Sequence, residues 1–205
     1  MRCELLSADC RLPTTNRTLY TLPHSRSGIG AGWGVLPPMA ERDIAGLARA
    51  IGERLRARGL TIATAESCTG GAVAAALASI PGASDYLRGG IVAYHAEVKQ
   101  RLLGVPAALI AREGVVSAAC ALAMARGARD ACGADIGVAT TGIAGPGGAE
   151  PGKPVGLVHL ALSWPAGEHA RHAVYPGDRA AIIEAAVFDA LELVISRQSA
   201  VGSRQ

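Results

Sequence analysis

From Met39 onward the hydrophobic positions recur with regular periods, and the changes of period mark the predicted elements. Ile44, Leu47, Ala48, Ile51 and Leu55 fall three and four residues apart, which predicts a helix that Gly59 stops. Residues 60–65 are a short apolar run with β-branched members and predict a buried strand. A helix over 71–79, a strand over 90–94, and helices over 96–103 and 117–131 follow. Residues 136–140 read as a third strand. Residues 156–162 and 170–174 read as a fourth and fifth, joined as a hairpin through Pro165-Ala166-Gly167. Over 179–196, Ile182, Ala186, Ala190 and Leu193 recur turn by turn and predict a closing helix. Strands alternating with helices predict an α/β sheet covered on both faces.

Before Met39 this regularity is missing. Residues 1–38 hold Pro13, Pro23, Pro37, Pro38 and a run of glycines at 28, 30, 32 and 34. We read them as a disordered extension, or as sequence upstream of a natural start at Met39. A targeting peptide is the competing reading, but no amphipathic face supports it. One domain is expected over 39–198, with a flexible tail over 199–205.

Composition narrows the class. Half of the 205 residues are hydrophobic and 18% are charged, enough for a substantial core. Aromatics are only 3%, so Ala, Val, Leu and Ile must build that core. The longest stretch without Asp, Glu, Lys or Arg, 67–84, contains Ser67, Cys68, Thr69, Gly70, Gly71 and Pro81, a poor membrane span. The net charge of +3 is too small and dispersed for a nucleic-acid footprint. Five scattered cysteines, without a CxxC pair or metal spacing, argue against a disulfide framework and fit a reducing cytoplasm. Neither a metal nor another cofactor is expected. Only Lys99 and Lys153 are lysines among the 20 basic residues. Each is notable, because lysine can give up its proton where arginine cannot.

Four segments carry candidate chemistry. Ala65-Glu66-Ser67-Cys68-Thr69-Gly70-Gly71 lies where a strand ends and a helix begins, the place where open α/β sheets bind ligands. Ser67 reads as a nucleophile beside the N–H groups of that helix, or, with Thr69, as a cap on it. Cys68 is the alternative nucleophile, or a small buried hydrophobe. In the segment 89–99, Tyr94 ends a strand and Lys99 follows in the next helix. A desolvated lysine can serve as base for a serine hydroxyl, with the tyrosine hydroxyl relaying the proton. An ordinary surface lysine is the competing reading. Residues 140–148, rich in glycine and hydroxyls, suit a loop around a phosphate or polar ligand, or a plain turn. The Gly147…Gly152-Lys153 spacing imitates a P-loop, but Pro154 replaces the Ser/Thr that would ligate Mg²⁺, so an ATPase is rejected. Lys153 and His95 read as surface or loop residues. Arg179, after Asp178 at the last helix start, could clamp a phosphate or be a solvated first-turn residue. Together these groups suit acyl transfer.

AESCTGG (65–71), GGIVAYHAEVKQRLLGV (89–105), ADIGVATTGIAGPGG (134–148), KPVGLVHLAL (153–162) and GDR (177–179) resemble the CinA C-terminal domain family. The resemblance covers nearly all of 40–196. It implies a three-layer α/β/α sandwich with a five-stranded mixed sheet, usually as a homodimer. It also implies a nicotinamide-nucleotide amidohydrolase, which converts nicotinamide mononucleotide and water to nicotinate mononucleotide and ammonia in NAD salvage. Carried across, it places catalysis on Ser67, Tyr94 and Lys99. Substrate binding falls on Thr69, Gly70, Gly71, Thr141, Gly142 and Arg179, with backbone N–H groups around 69–71 holding the oxyanion. Two positions depart from the family pattern: His95-Ala96 replaces a polar residue, and Ile183 stands where many relatives have a second arginine. A non-catalytic nucleotide-binding module and an amidase for another small amide remain alternatives.

Overall fold

The computed structural model describes residues 43–197. The expected extension at 1–38 and the tail at 199–205 lie outside the described residues. The elements run α1 (Ile44–Arg58), β1 (Ile62–Glu66), α2 (Ala72–Ala78), a 3₁₀ turn (Ala83–Asp85), β2 (Leu87–Val92), α3 (Ala96–Leu103), α4 (Ala107–Glu113), α5 (Ala118–Ala131), β3 (Ile136–Gly142), β4 (Leu157–Trp164), β5 (Gly167–Val174) and α6 (Arg179–Arg197).

Local chemistry sets the boundaries. The Asp43 carboxylate accepts from the Gly46 N–H at 2.7 Å and opens α1, which Gly59 closes at φ 63°. The Ser117 hydroxyl caps α5 in the same way through the Cys120 N–H. The sequence reading missed α4, a helix of 7 residues between Pro106 and Gly114 that is too short for its period to stand out.

The five strands form one mixed sheet in the order β2-β1-β3-β4-β5. Strand β1 runs parallel to both β2 and β3, while β3–β4 and β4–β5 are antiparallel. The predicted hairpin is present, with Trp164 opposite Gly167 across the Pro165-Ala166 turn. Every residue of β1 is buried, as a central strand covered on both faces must be.

Helices α1, α2 and α6 cover one face over a core that includes Ile51, Leu55, Ile62, Leu77, Leu160, Leu162 and Leu191. Helices α3, α4 and α5 cover the other, over a core dominated by alanine. The expected α/β fold with a five-stranded mixed sheet is therefore found. Among the described residues, no helix is long and apolar enough to cross a membrane.

Candidate active site

The carboxyl ends of β1 and β3, the chain leaving β2, and the start of α6 meet at one end of the sheet. Ser67 follows the last residue of β1 and is held at both backbone ends. Its N–H donates to the Thr140 carbonyl at 3.0 Å, and its carbonyl accepts from the Gly70 N–H at 3.1 Å. The chain from β2 runs alongside, with the Ala93 N–H donating to the Glu66 carbonyl at 2.8 Å.

Lys99 lies on α3 four residues before Leu103, so both side chains point inward. It is fully buried, and its Nζ donates to Ser67 Oγ at 3.0 Å. The same Nζ donates to the carbonyls of Ala93 and Tyr94. Among the described residues Lys99 makes no ion pair. Burial holds its ammonium below the usual lysine range, only partly offset by the neighbouring thiols of Cys120 and Cys68. This is the environment in which a lysine becomes a base.

Cys68, the alternative nucleophile, lines the same cavity, but burial pushes its thiol up to about 11. It stays protonated at neutral pH and is a poor nucleophile there.

A cavity of about 300 Å³ opens in front of Ser67. Tyr94, Thr141, Gly142, the loop 143–148 and Arg179 line it. Arg179 Nη2 donates to the Tyr94 hydroxyl at 2.7 Å, and Nη1 to the Gly145 carbonyl at 2.9 Å. These contacts tie the start of α6 to the rim formed by the other two segments. Thr141 is buried and donates its hydroxyl to the Val115 carbonyl at 2.7 Å. A larger hollow of about 450 Å³ lies between the end of α3 and α5. It contains none of the residues singled out by chemistry.

Ser67, Lys99, Tyr94, Thr141, Gly142 and Arg179 thus come together from four distant segments, with Lys99 behind the serine and the others around the cavity. Two details differ from expectation. Tyr94 is 51% exposed, and its hydroxyl meets Arg179; Lys99 meets only its carbonyl. Successive residues of an extended chain face opposite ways, so Ala93 turns into the core and Tyr94 outward.

Thr69, Gly70 and Gly71 do not line the cavity. The Thr69 hydroxyl contacts Glu66 at 2.7 Å and Thr140 at 2.6 Å. The Gly70 N–H is bonded to Ser67, and the Gly71 N–H to Glu66. The carboxylate of Glu66 also takes the N–H groups of Val73 and Ala74 in the first turn of α2. The helix N-terminus that promised an anion site is filled by the protein's own glutamate.

Sequence reasoning missed Glu66. The available signal was a charged residue at the end of a strand otherwise buried. Lys153, the P-loop decoy, pairs with Glu150 in an isolated bridge and leads toward β4 rather than a helix. Among the described residues no group of three or more His, Cys, Asp or Glu is placed to hold a metal.

A family model described as the CinA C-terminal domain matches residues 44–197. A putative competence-damage inducible protein of Desulforamulus reducens is 54% identical over 143 residues, covering 70% of this chain and 34% of that protein. A CinA-like protein of Synechococcus is 56% identical over 121 residues, covering 59% of this chain and 29% of that protein. The chain therefore spans about a third of these curated relatives. Among solved structures, a CinA superfamily protein from Klebsiella pneumoniae aligns with a TM-score of 0.75 and 34% identity, over 77% of this chain and 99% of that one. The competence/damage inducible protein CihA from Agrobacterium tumefaciens aligns with a TM-score of 0.74 and 41% identity, over 81% and 99%. With most of its length matched by the family model, and with its fold shared by these structures, this chain belongs to the CinA C-terminal domain family.

Proposed function

We propose that the domain is a serine–lysine amidohydrolase acting on the carboxamide of nicotinamide mononucleotide, releasing nicotinate mononucleotide and ammonia. The observation that carries this reading is a fully buried lysine, free of any carboxylate partner among the described residues, with its Nζ 3.0 Å from a serine hydroxyl at the foot of a cavity. Neutral Lys99 takes the proton of Ser67 as Oγ attacks the amide carbon. The collapsing tetrahedral intermediate expels ammonia, which leaves with the proton returned by Lys99. Water then adds to the acyl-enzyme, again giving its proton to Lys99, and Ser67 is released with the acid product. Gly70 and Gly71 are committed elsewhere. The backbone N–H groups that follow the nucleophile in the chain, those of Cys68 and Thr69, are our candidates for oxyanion donors.

A cationic guanidinium beside the glycine-rich loop 142–148 suits a mononucleotide phosphate. Arg179 would exchange its two neutral acceptors for phosphate oxygens.

The test is turnover of nicotinamide mononucleotide without added metal, following ammonia and the acid product. Ser67→Ala and Lys99→Arg should each lower kcat by about 10³-fold or more. Lys99→Arg retains the charge but cannot act as a base at neutral pH. Full activity in Ser67→Ala would sink the mechanism. A folded protein that is stabilised by the mononucleotide but does not turn it over would favour a non-catalytic binding module.

A further inference from the structure

We propose that Glu66 is a positioning residue whose carboxylate sets the attack geometry of Ser67 by gathering the whole turn after β1 onto one buried anchor. This rests on the serine–lysine reading above. Glu66 is 1% exposed and touches neither the cavity nor Lys99. Its two oxygens accept five hydrogen bonds. Oε1 takes Thr64 Oγ1 at 3.1 Å and the Ala74 N–H at 2.8 Å. Oε2 takes Thr69 Oγ1 at 2.7 Å and the N–H groups of Gly71 and Val73, both at 3.0 Å. The donors come from β1, the turn and the first residues of α2, so one group spans both ends of the loop carrying the nucleophile.

Burying a carboxylate is costly unless it is well bonded. The fold supplies enough partners, and three of them are backbone N–H groups that can only donate, spread over both oxygens, so both positions must be acceptors. A glutamine of the same shape would turn its NH₂ against donors.

The anchor also reaches the base. The Glu66 carbonyl accepts from the Ala93 N–H, and the Ala93 carbonyl accepts from Lys99 Nζ. Through the Glu66 main chain, nucleophile and base are therefore referenced to the same point. A short-range hydrogen bond such as Lys99–Ser67 loses its value when either end drifts by about 1 Å, which can cost on the order of 10²-fold in rate.

The experiment uses the full chain and two independent readouts. The first is labelling of Ser67 by phenylmethylsulfonyl fluoride, followed by intact mass with Ser67→Ala as blank. Glu66→Gln is expected to reach the same final stoichiometry as wild type, with a rate constant about 10²-fold lower. The second readout is steady-state turnover of nicotinamide mononucleotide. There kcat should fall by a similar factor while KM stays within about twofold.

A role in stability alone would lower the stoichiometry and leave the rate per reactive molecule unchanged. That outcome, or equal labelling rates in the two proteins, overturns the proposal. If Glu66→Gln does not fold, Thr69→Val removes the loop-side bond to Glu66 along with the contact to Thr140, and should slow labelling by about tenfold, whereas Thr140→Val, which keeps the Glu66 bond, should not. An unchanged rate in Thr69→Val, or an equal slowing in Thr140→Val, also overturns the proposal. Absence of any Ser67 labelling in wild type overturns the serine–lysine reading itself, and this proposal with it. Ser67 labelling without turnover of the mononucleotide faults only the substrate; the labelling rates of Glu66→Gln then decide the proposal.

Discussion

The two faces of the sheet are built differently. Under α1, α2 and α6 the core is mainly Leu, Ile and Val, with Tyr86, Trp164, Tyr175 and a minority of alanines. Under α3, α4 and α5 it is largely alanine: Ala63, Ala65, Ala93, Ala121, Ala125, Ala128, Ala139 and Ala161. A layer of small side chains brings backbones close. A Cβ placed on Gly137 of β3 would lie 1.9 Å from the Ala125 carbonyl oxygen of α5. One on Gly127 of α5 would lie 2.0 Å from the Leu103 carbonyl oxygen of α3. The base arrives through this thin side, with Lys99 beside Cys120 of that layer and Cys68 of the other. The thick side supplies bulk hydrophobic stabilisation; the thin side is a close-fitting spacer that sets how far α3, and so Nζ, stands from Ser67. Its packing is expected to bear on rate, whereas thick-side packing remote from Glu66 and Arg179 is expected to bear on stability alone.

Four substitutions or conditions test that contrast, ending with the smallest effect. Lys99→Met replaces the base with an apolar chain of similar length. Turnover is expected to fall by about 10³-fold or more with the fold intact by circular dichroism. Gly137→Ala should destabilise by about 3 kcal/mol, because backbone must shift to admit the methyl group. The displaced α5 should also lower kcat per folded molecule, measured by denaturation and kinetics on one preparation. Leu191→Ala, a fully buried site on the thick side, should cost about 2–5 kcal/mol in urea denaturation yet leave kcat per folded molecule unchanged. A matching loss of kcat there would erase the distinction between the faces.

The smallest effect is a pH slope. Burial lowers the folded-state pKa of Lys99, so between that lowered value and 10.5 the unfolded chain holds more protons at this site than the native chain. This contribution to stability therefore rises as pH climbs from the lowered value toward 10.5, the unfolded value. Burial raises the thiols of Cys68 and Cys120 from 9.0, and they oppose the trend above that pH. Between the lowered Lys99 value and pH 9, wild type should gain on Lys99→Met as pH rises, measured as the difference in urea midpoints. The base reading gives activity the same direction, with kcat/KM rising with pH through the lowered Lys99 pKa. A flat profile would mean that Lys99 does not titrate there.

Much of the framework was legible along the chain. The helix over 96–103 has its expected limits, and the other predicted elements are present with ends moved by a few residues. Periodicity and glycine stops are local signals, so local sequence carries them. Helix α4 was not legible, because a helix of 7 residues is too short to show a period. That Ser67, Tyr94, Thr141, Gly142 and Arg179 belong together was legible from residue type and from the family resemblance, whereas Val115, Val116 and Glu150, which also line the cavity, were not. The direction of Tyr94 and the engagement of Gly71 were not, because each depends on a partner far away in sequence or on the opposite wall.

By itself the sequence determined which segments other than α4 are helix or strand, which faces are apolar, and that a serine, a lysine, an arginine and glycine-rich turns end up near strand ends. Only the tertiary structure decided that Lys99 is stripped of water and set against Ser67, and that Glu66 fills the helix N-terminus. Periodicity is a property of neighbours in the chain. Desolvation and hydrogen-bond saturation are properties of neighbours in space: Lys99 Nζ is a base candidate because of Ser67 thirty-two positions earlier and the alanine layer closing over it.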